Sequence, residues 1–172
     1  DVDVAVTDVA PDDLHQVELA VVVGQAGDTV FETVNTSAET LGLPWVAVEI
    51  GGLGGYPVVE AAVSGFGPET GCYNCLRTRV GANADPSQEP QAAPNPETTR
   101  FAGAVAGREV ARLLAGKQSA VMGGSIEIPH AERRFLPVPH CECQPARDRT
   151  LDRSVVDRDL EASLALAEGA LD

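Results

Sequence analysis

The residues of this chain best suited to chemistry are four cysteines in two close pairs, Cys72-x-x-Cys75 and Cys141-x-Cys143. Two short-spaced pairs separated by a long insert suit a tetrahedral thiolate site. Each tight turn supplies two sulfurs, and folding brings the turns together. Gly71 before the first pair and Pro139 before the second fit such knuckles. The reading adopted is a structural zinc ion held by Cys72, Cys75, Cys141 and Cys143, coupled directly to folding. A closed tetrahedron leaves no position for water, so no catalysis is expected at the metal. Iron fits the same cage. Disulfides are the alternative in an oxidising compartment, and a redox-active Cys72/Cys75 pair is another. His140 abuts Cys141 and is an alternative ligand.

Other constellations are weaker. Ser125 with His15, His130 and His140 makes a hydrolase triad on paper, but no G-x-S-x-G elbow is present. Gly51-Gly52-Leu53-Gly54-Gly55 offers backbone N–H groups to an anion, yet the flanking Glu49 and the acidic charge favour a hinge. Arg77 and Arg79, after the first cysteine pair, and Arg133 and Arg134, before the second, concentrate the positive charge. They are read either as surface ion pairs or as a docking patch for an acidic peptide or a partner domain. No catalytic or cofactor-binding residue is assigned.

The elements that position these residues follow from pattern. Val2 to Thr7 alternates as a half-buried strand would, and Pro11-Asp12-Asp13 opens a turn or a short helix. Leu19 to Val23 is a continuous apolar run, as in a strand covered on both faces. After Gly24, a helix opens with Asp28 as N-cap, or with Thr29 and Glu32 as a capping box. Val30, Val34, Ala38 and Leu41 form its apolar face, and Gly42 stops it. PWVAVEI (44–50) is the next strand, completing a strand-helix-strand unit and predicting a parallel α/β core. A strand within 56–66, a Pro-rich crossover loop over 81–99 and a helix over 100–116 follow, with Phe101, Val105 and Leu113 facing a core. Two last strands, 120–128 and 133–138, lead to the second cysteine pair.

The chain has 172 residues, enough for one ordinary domain. Residues 1–147 are read as that α/β zinc-binding domain, and the charged, helical 148–172 as a tail or a linker towards a following domain. Acidic residues number 26 against 12 basic ones, giving a net charge of -14, which argues against a nucleic-acid or anionic-membrane partner. Hydrophobic residues at 44% argue against disorder. No signal peptide or membrane-length apolar run is visible, so a cytoplasmic location is expected. Lys117 is the only lysine; an acidic, Lys-poor composition of this kind fits adaptation to high salt.

Residues 19–143 resemble the E1-like proteins, the ThiF/MoeB-type adenylating enzymes that activate ubiquitin-like sulfur carriers. The resemblance rests on GLPWVAVEI, a Gly-rich step, FGPETGCYNCLRTR, the helix FAGAVAGREVARLLAG and the closing cysteine pair. Its most specific part, GP-x-x-x-C-x-x-C-L with a second pair, is similar to that family's structural zinc site. It implies a Rossmann-like E1-type α/β fold with a mainly parallel sheet, antiparallel additions and the four-cysteine zinc site. The chain departs from the family where ATP would bind. No Gly-rich phosphate loop precedes Val2, no Arg follows Asp28 on its helix, and residues 76–99 hold no catalytic thiol. Asp28 is therefore read as a helix cap rather than an ATP contact. Degenerate E1-like domains stand beside YcaO-type proteins that make azolines or thioamides in ribosomal peptides of the bacteriocin type. The string GGLGGYPVVEAAVSGFGPETGCYNCLRTRV and the acidic tail are similar to the N-terminal region of haloarchaeal YcaO-family proteins. The resemblance implies a non-catalytic domain that binds a precursor peptide, with ATP used only in a partner or following YcaO-type domain. It also leaves room for a homodimer. The alternative is an active adenylating enzyme whose nucleotide loop lies upstream.

Overall fold

The structure, a computed structural model, describes residues 11–51, 59–83, 96–129, 131–139, 141 and 143. The expected strand over 2–7, most of the glycine step and crossover loop, His130, His140 and the tail over 148–172 lie outside the described residues. Contacts divide the chain into a unit over Asp1–Cys141 and another over Glu142–Asp172. All the elements below belong to the first.

A 3-10 helix, Pro11–Gln16, leads into β1, Ala20–Gln25. Helix α1, Thr29–Leu41, follows and ends at Gly42, whose φ of 65° is the left-handed cap expected of glycine. Then come β2 (Trp45–Ile50), β3 (Ala61–Phe66), α2 (Tyr73–Ala82), α3 (Pro96–Leu114), β4 (Gly124–Ile128) and β5 (Ala131–Arg134). The five described strands lie in the order β1-β2-β3-β4-β5. β1 and β2 run parallel, as the strand-helix-strand unit requires, with Ala20 beside Trp45 and Gln25 beside Ile50. The other three pairings are antiparallel. The sheet is therefore mixed, and the expected parallel character is confined, among the described strands, to its first pairing. The ten residues between Ile50 and Ala61 fall short of the dozen or more that a crossover between parallel strands needs, in keeping with the antiparallel sense of β3.

β2 separates two cores. Trp45 and Ala47 point into a cluster with Phe31, Val34, Phe66, Tyr73, Leu76 and Phe135 beneath α1 and α2. Val46 and Val48 point the other way, joining Val63, Val121, Ala102 and Ala106 beneath α3. The aromatic residues gather on the first side, where Trp45 lies 4.6 Å from Phe66 between ring centroids. The second side is built from Val, Ala and Ile, so α3 approaches through small residues.

Three expectations are corrected, two on burial and one on capping. β1 is covered on one face only, with Val21 42% and Val23 64% exposed. α3 starts at Pro96, and its buried stripe is Thr98, Ala102, Ala106 and Glu109, which turns Phe101 to solvent. Val105 and Leu113 do pack against the core as partly buried residues. Finally, Asp28 sits at the N-cap without bonding its own helix; its Oδ2 accepts the Gln25 N–H at 2.8 Å instead.

Candidate metal centre

The first cysteine pair sits at the start of α2, an element the sequence pattern did not reveal. Cys72 is the N-cap, and its Sγ accepts the Cys75 N–H at 3.4 Å, as a Ser or Asp oxygen would at such a position. The N–H of Tyr73, another orphan donor of the first turn, goes to Asn35 Oδ1 of α1 at 2.9 Å. Asn35 is itself buried and fixed by donating to Glu39 Oε1 at 2.7 Å. Tyr73, Leu76 and Val80 then fill the aromatic core. The pair is thus held by its own helix start and by a side chain on a neighbouring helix.

The segment after β5 is tied to the same helix; it is irregular beyond Arg134, so the strand expected over 133–138 is realised as Ala131–Arg134. Arg79 of α2 donates from Nε to the Leu136 carbonyl at 3.0 Å and from Nη2 to the Pro137 carbonyl at 3.3 Å. Val138 donates its N–H to Cys75 Sγ at 3.2 Å. Gly71 permits this approach. A Cβ there would lie 3.1 Å from the Phe135 ring and 3.2 Å from Pro137 N.

These ties bring Cys72 Sγ to 3.7 Å from Cys75 Sγ and 3.6 Å from Cys141 Sγ. With Cys143, the four sulfurs all lie within 4.8 Å of one another. A tetrahedral Zn–S site with bonds of ~2.3 Å has sulfur–sulfur edges of about 3.8 Å, so the donor set fits. None of the four cysteines is in a disulfide. The Cys75 N–H points at Cys72 Sγ and the Val138 N–H at Cys75 Sγ, outer contacts of the kind that orient metal-ligating sulfurs. The predicted set is therefore assembled, and it can hold a metal ion.

The four arginines are anchored within the chain. Arg77 Nη1 lies 4.0 Å from Glu49 Oε1. Arg133 pairs with Glu127 at 2.7 Å, and Arg134 donates to the Met122 carbonyl at 2.6 Å. Ser125 hydrogen-bonds Ser64 in a buried cross-strand pair at 3.0 Å.

Glu49 and Glu109 carry buried charges whose roles composition did not indicate. Glu49 is fully buried on β2 and accepts the Tyr73 hydroxyl at 2.8 Å, while its Oε2 has no hydrogen-bond partner. Burial pushes its carboxyl above the usual range, against the pull of Tyr73 and Arg77. The Tyr73 phenol is pushed up as well, by burial and by the Glu49 charge. At Glu109 burial also raises the carboxyl, but donors from Ser119, Ala120 and Arg108 outweigh it and hold the group below its ordinary value.

A mixed α/β sheet with one parallel strand-helix-strand unit and a paired-cysteine cluster supports the E1-like architecture that the motifs implied. Solved structures with this fold include those of MccB. The chain superimposes on E. coli MccB with a TM-score of 0.56 at 17% identity, covering 81% of this chain and 43% of that one. For E. coli MccB with AMPCPP and MccA the values are 0.54, 17%, 81% and 44%. For the microcin C7 biosynthetic enzyme MccB in complex with N-formylated MccA they are 0.52, 16%, 81% and 45%. The chain thus spans less than half the length of the structures it matches. No family model and no curated protein matches it.

Proposed function

We propose that this chain is a non-catalytic, zinc-stapled E1-like domain that recognises a precursor peptide for an ATP-dependent, YcaO-type enzyme of bacteriocin-type peptide modification. The observation that carries the reading is the fold it shares with MccB, a biosynthetic enzyme solved with the peptide MccA. The cysteine cluster supports a structural rather than a reactive metal, because four thiolates close the coordination shell. Zinc is the ion assigned to Cys72, Cys75, Cys141 and Cys143. Residues 1–147 are read as the recognition domain and 148–172 as a helical tail or a linker towards a YcaO-type domain, with ATP used in that domain or a partner. Arg77, Arg79, Arg133 and Arg134 are the candidate docking patch for an acidic peptide or a partner domain. A cytoplasmic, haloarchaeal setting accords with the net charge of -14.

The test is calorimetric binding of a candidate thiazole/oxazole-type precursor peptide to the natural full-length protein, with ATP–pyrophosphate exchange measured on the same sample. Peptide binding without exchange attributable to this domain is the expected result. A second reading, an adenylating enzyme with its nucleotide loop upstream, draws on the MccB structure that contains AMPCPP. Exchange that depends on this domain establishes that reading and overturns the first. Absence of both peptide binding and exchange overturns the two together.

A further inference from the structure

The two cysteine pairs arrive on different elements, and something must hold the second against the first. The first pair is fixed by the start of α2. The second follows β5, which ends at Arg134, with Phe135 still donating its N–H to the Gly123 carbonyl at 3.1 Å. Sheet pairing is interrupted beyond that point, because Pro137 and Pro139 have no N–H to donate. Val138, between them, has one, and it goes to Cys75 Sγ at 3.2 Å. The Val138 carbonyl accepts the Cys141 N–H at 3.1 Å, in a turn that delivers the third sulfur. The placing of Val138 therefore decides whether Cys141 reaches the cluster.

Arg79 is built into the arm that carries Val138. It lies one helical turn after Cys75, so the two side chains share a face of α2. Side chains on a helix lean towards its N-terminus, which carries the guanidinium back to the level of Cys75. There Nε donates to the Leu136 carbonyl at 3.0 Å and Nη2 to the Pro137 carbonyl at 3.3 Å. Those are the two carbonyls just ahead of Val138. A planar fork donates to two consecutive carbonyls at once, whereas an ammonium is a single point. Arg77, on another face of the same helix, turns to Glu49 instead.

We infer that Arg79 is a positioning residue of the metal centre, a fork that holds the arm over 136–138 against α2 so that Cys141 and Cys143 complete the set begun by Cys72 and Cys75. The inference rests on the zinc-staple reading and adds the residue on which metal affinity depends. It gives Arg79 a role within the chain that needs no docking partner. The fork acts through the backbone of the arm and does not touch the ion, as outer contacts that orient metal ligands do. Without it the first pair stays fixed on α2, and the second pair is held only loosely to the ion.

The test uses the full chain with Co²⁺ and Zn²⁺ as probes. Titration with Co²⁺ reads the visible absorption of a tetrahedral thiolate set, and competition by Zn²⁺ gives the affinity. The parent should show the four-sulfur spectrum. Arg79→Gln and Arg79→Lys should each bind Zn²⁺ roughly 10–100-fold more weakly, the range for loss of an outer contact. Arg79→Lys is the sharper variant, because it keeps the charge and removes the fork. Hydrogen exchange should quicken at the Val138 and Cys141 amides and stay parental at Phe135. Trp45 emission matching the parent at saturating Zn²⁺ shows that the variants are folded. The inference fails if folded variants bind as the parent does, or if Arg79→Lys restores parental affinity, which makes the role one of charge. It fails too if a variant stays unfolded at saturating Zn²⁺, since Arg79 then serves the fold at large. A parent that binds neither ion overturns the zinc-staple reading as well, whereas equal binding by parent and variants leaves that reading standing.

Discussion

Two buried carboxylates meet opposite fates, and the difference lies in their donors. Glu109 Oε2 receives the Ser119 hydroxyl and the Ala120 N–H, each at 2.8 Å, so its ionised form is stabilised. Glu49 has the Tyr73 hydroxyl on one oxygen and nothing on the other. The pH signs follow. A carboxyl held low in the fold stabilises at neutral pH, and that stability is lost as pH falls through its folded value. A carboxyl held high stabilises when protonated, and the benefit is lost as pH rises through its folded value. Glu109→Gln should therefore lower stability at pH 7 by about 1–3 kcal/mol, with the gap closing in acid. Glu49→Gln keeps the Tyr73 bond and removes the charge. It should leave the protein equally or more stable at pH 7 and unchanged near pH 4. Thermal melts across pH check both, and parallel curves for either variant and the parent would refute the assignment.

At the scale of elements, the cysteine knuckle is a junction of α1, α2 and the segment beyond β5. Asn35 reaches in from α1, Arg79 reaches out to Leu136 and Pro137, and Gly71 lets the two backbones approach. Gly71→Ala places a methyl 3.1 Å from the Phe135 ring, so it should cost about 1–3 kcal/mol and reduce bound metal per chain. Metal content by atomic emission and a melt measure both effects. The ligands themselves were legible because close cysteine spacing is local information. α1, with its Gly42 stop, was legible for the same reason. α2 was not, since its buried residues Tyr73, Leu76 and Val80 are interrupted by polar ones and its start is capped by sulfur. The exposed face of β1 was hidden too. A run of valines reads as buried on both sides, and only the neighbouring elements decide which side is covered.

For the whole molecule, the sense of the sheet depended on something no single segment states: whether β3 returns by a turn or by a crossover. The strand-helix-strand unit was readable, whereas the antiparallel pairings of β3, β4 and β5 depend on which strands meet across the sheet, which no local pattern states. A metal ion held by the four cysteines would act across the whole, because Cys72 and Cys141 are 69 residues apart in sequence and their sulfurs 3.6 Å apart in space. Chelation should lower the melting temperature and loosen residues around Phe135 before those around α3, by hydrogen exchange. Melting unchanged after verified metal removal would contradict a structural role.

Trp45 is the chain's single tryptophan, and it is 1% exposed. Its ring centroid lies 6.0 Å from that of Tyr73, the residue next to Cys72. The protein thus carries an intrinsic optical reporter one side chain away from its cysteine cluster. Emission from one indole reads the packing at the knuckle without a label, turning any change at the sulfurs into a spectral signal.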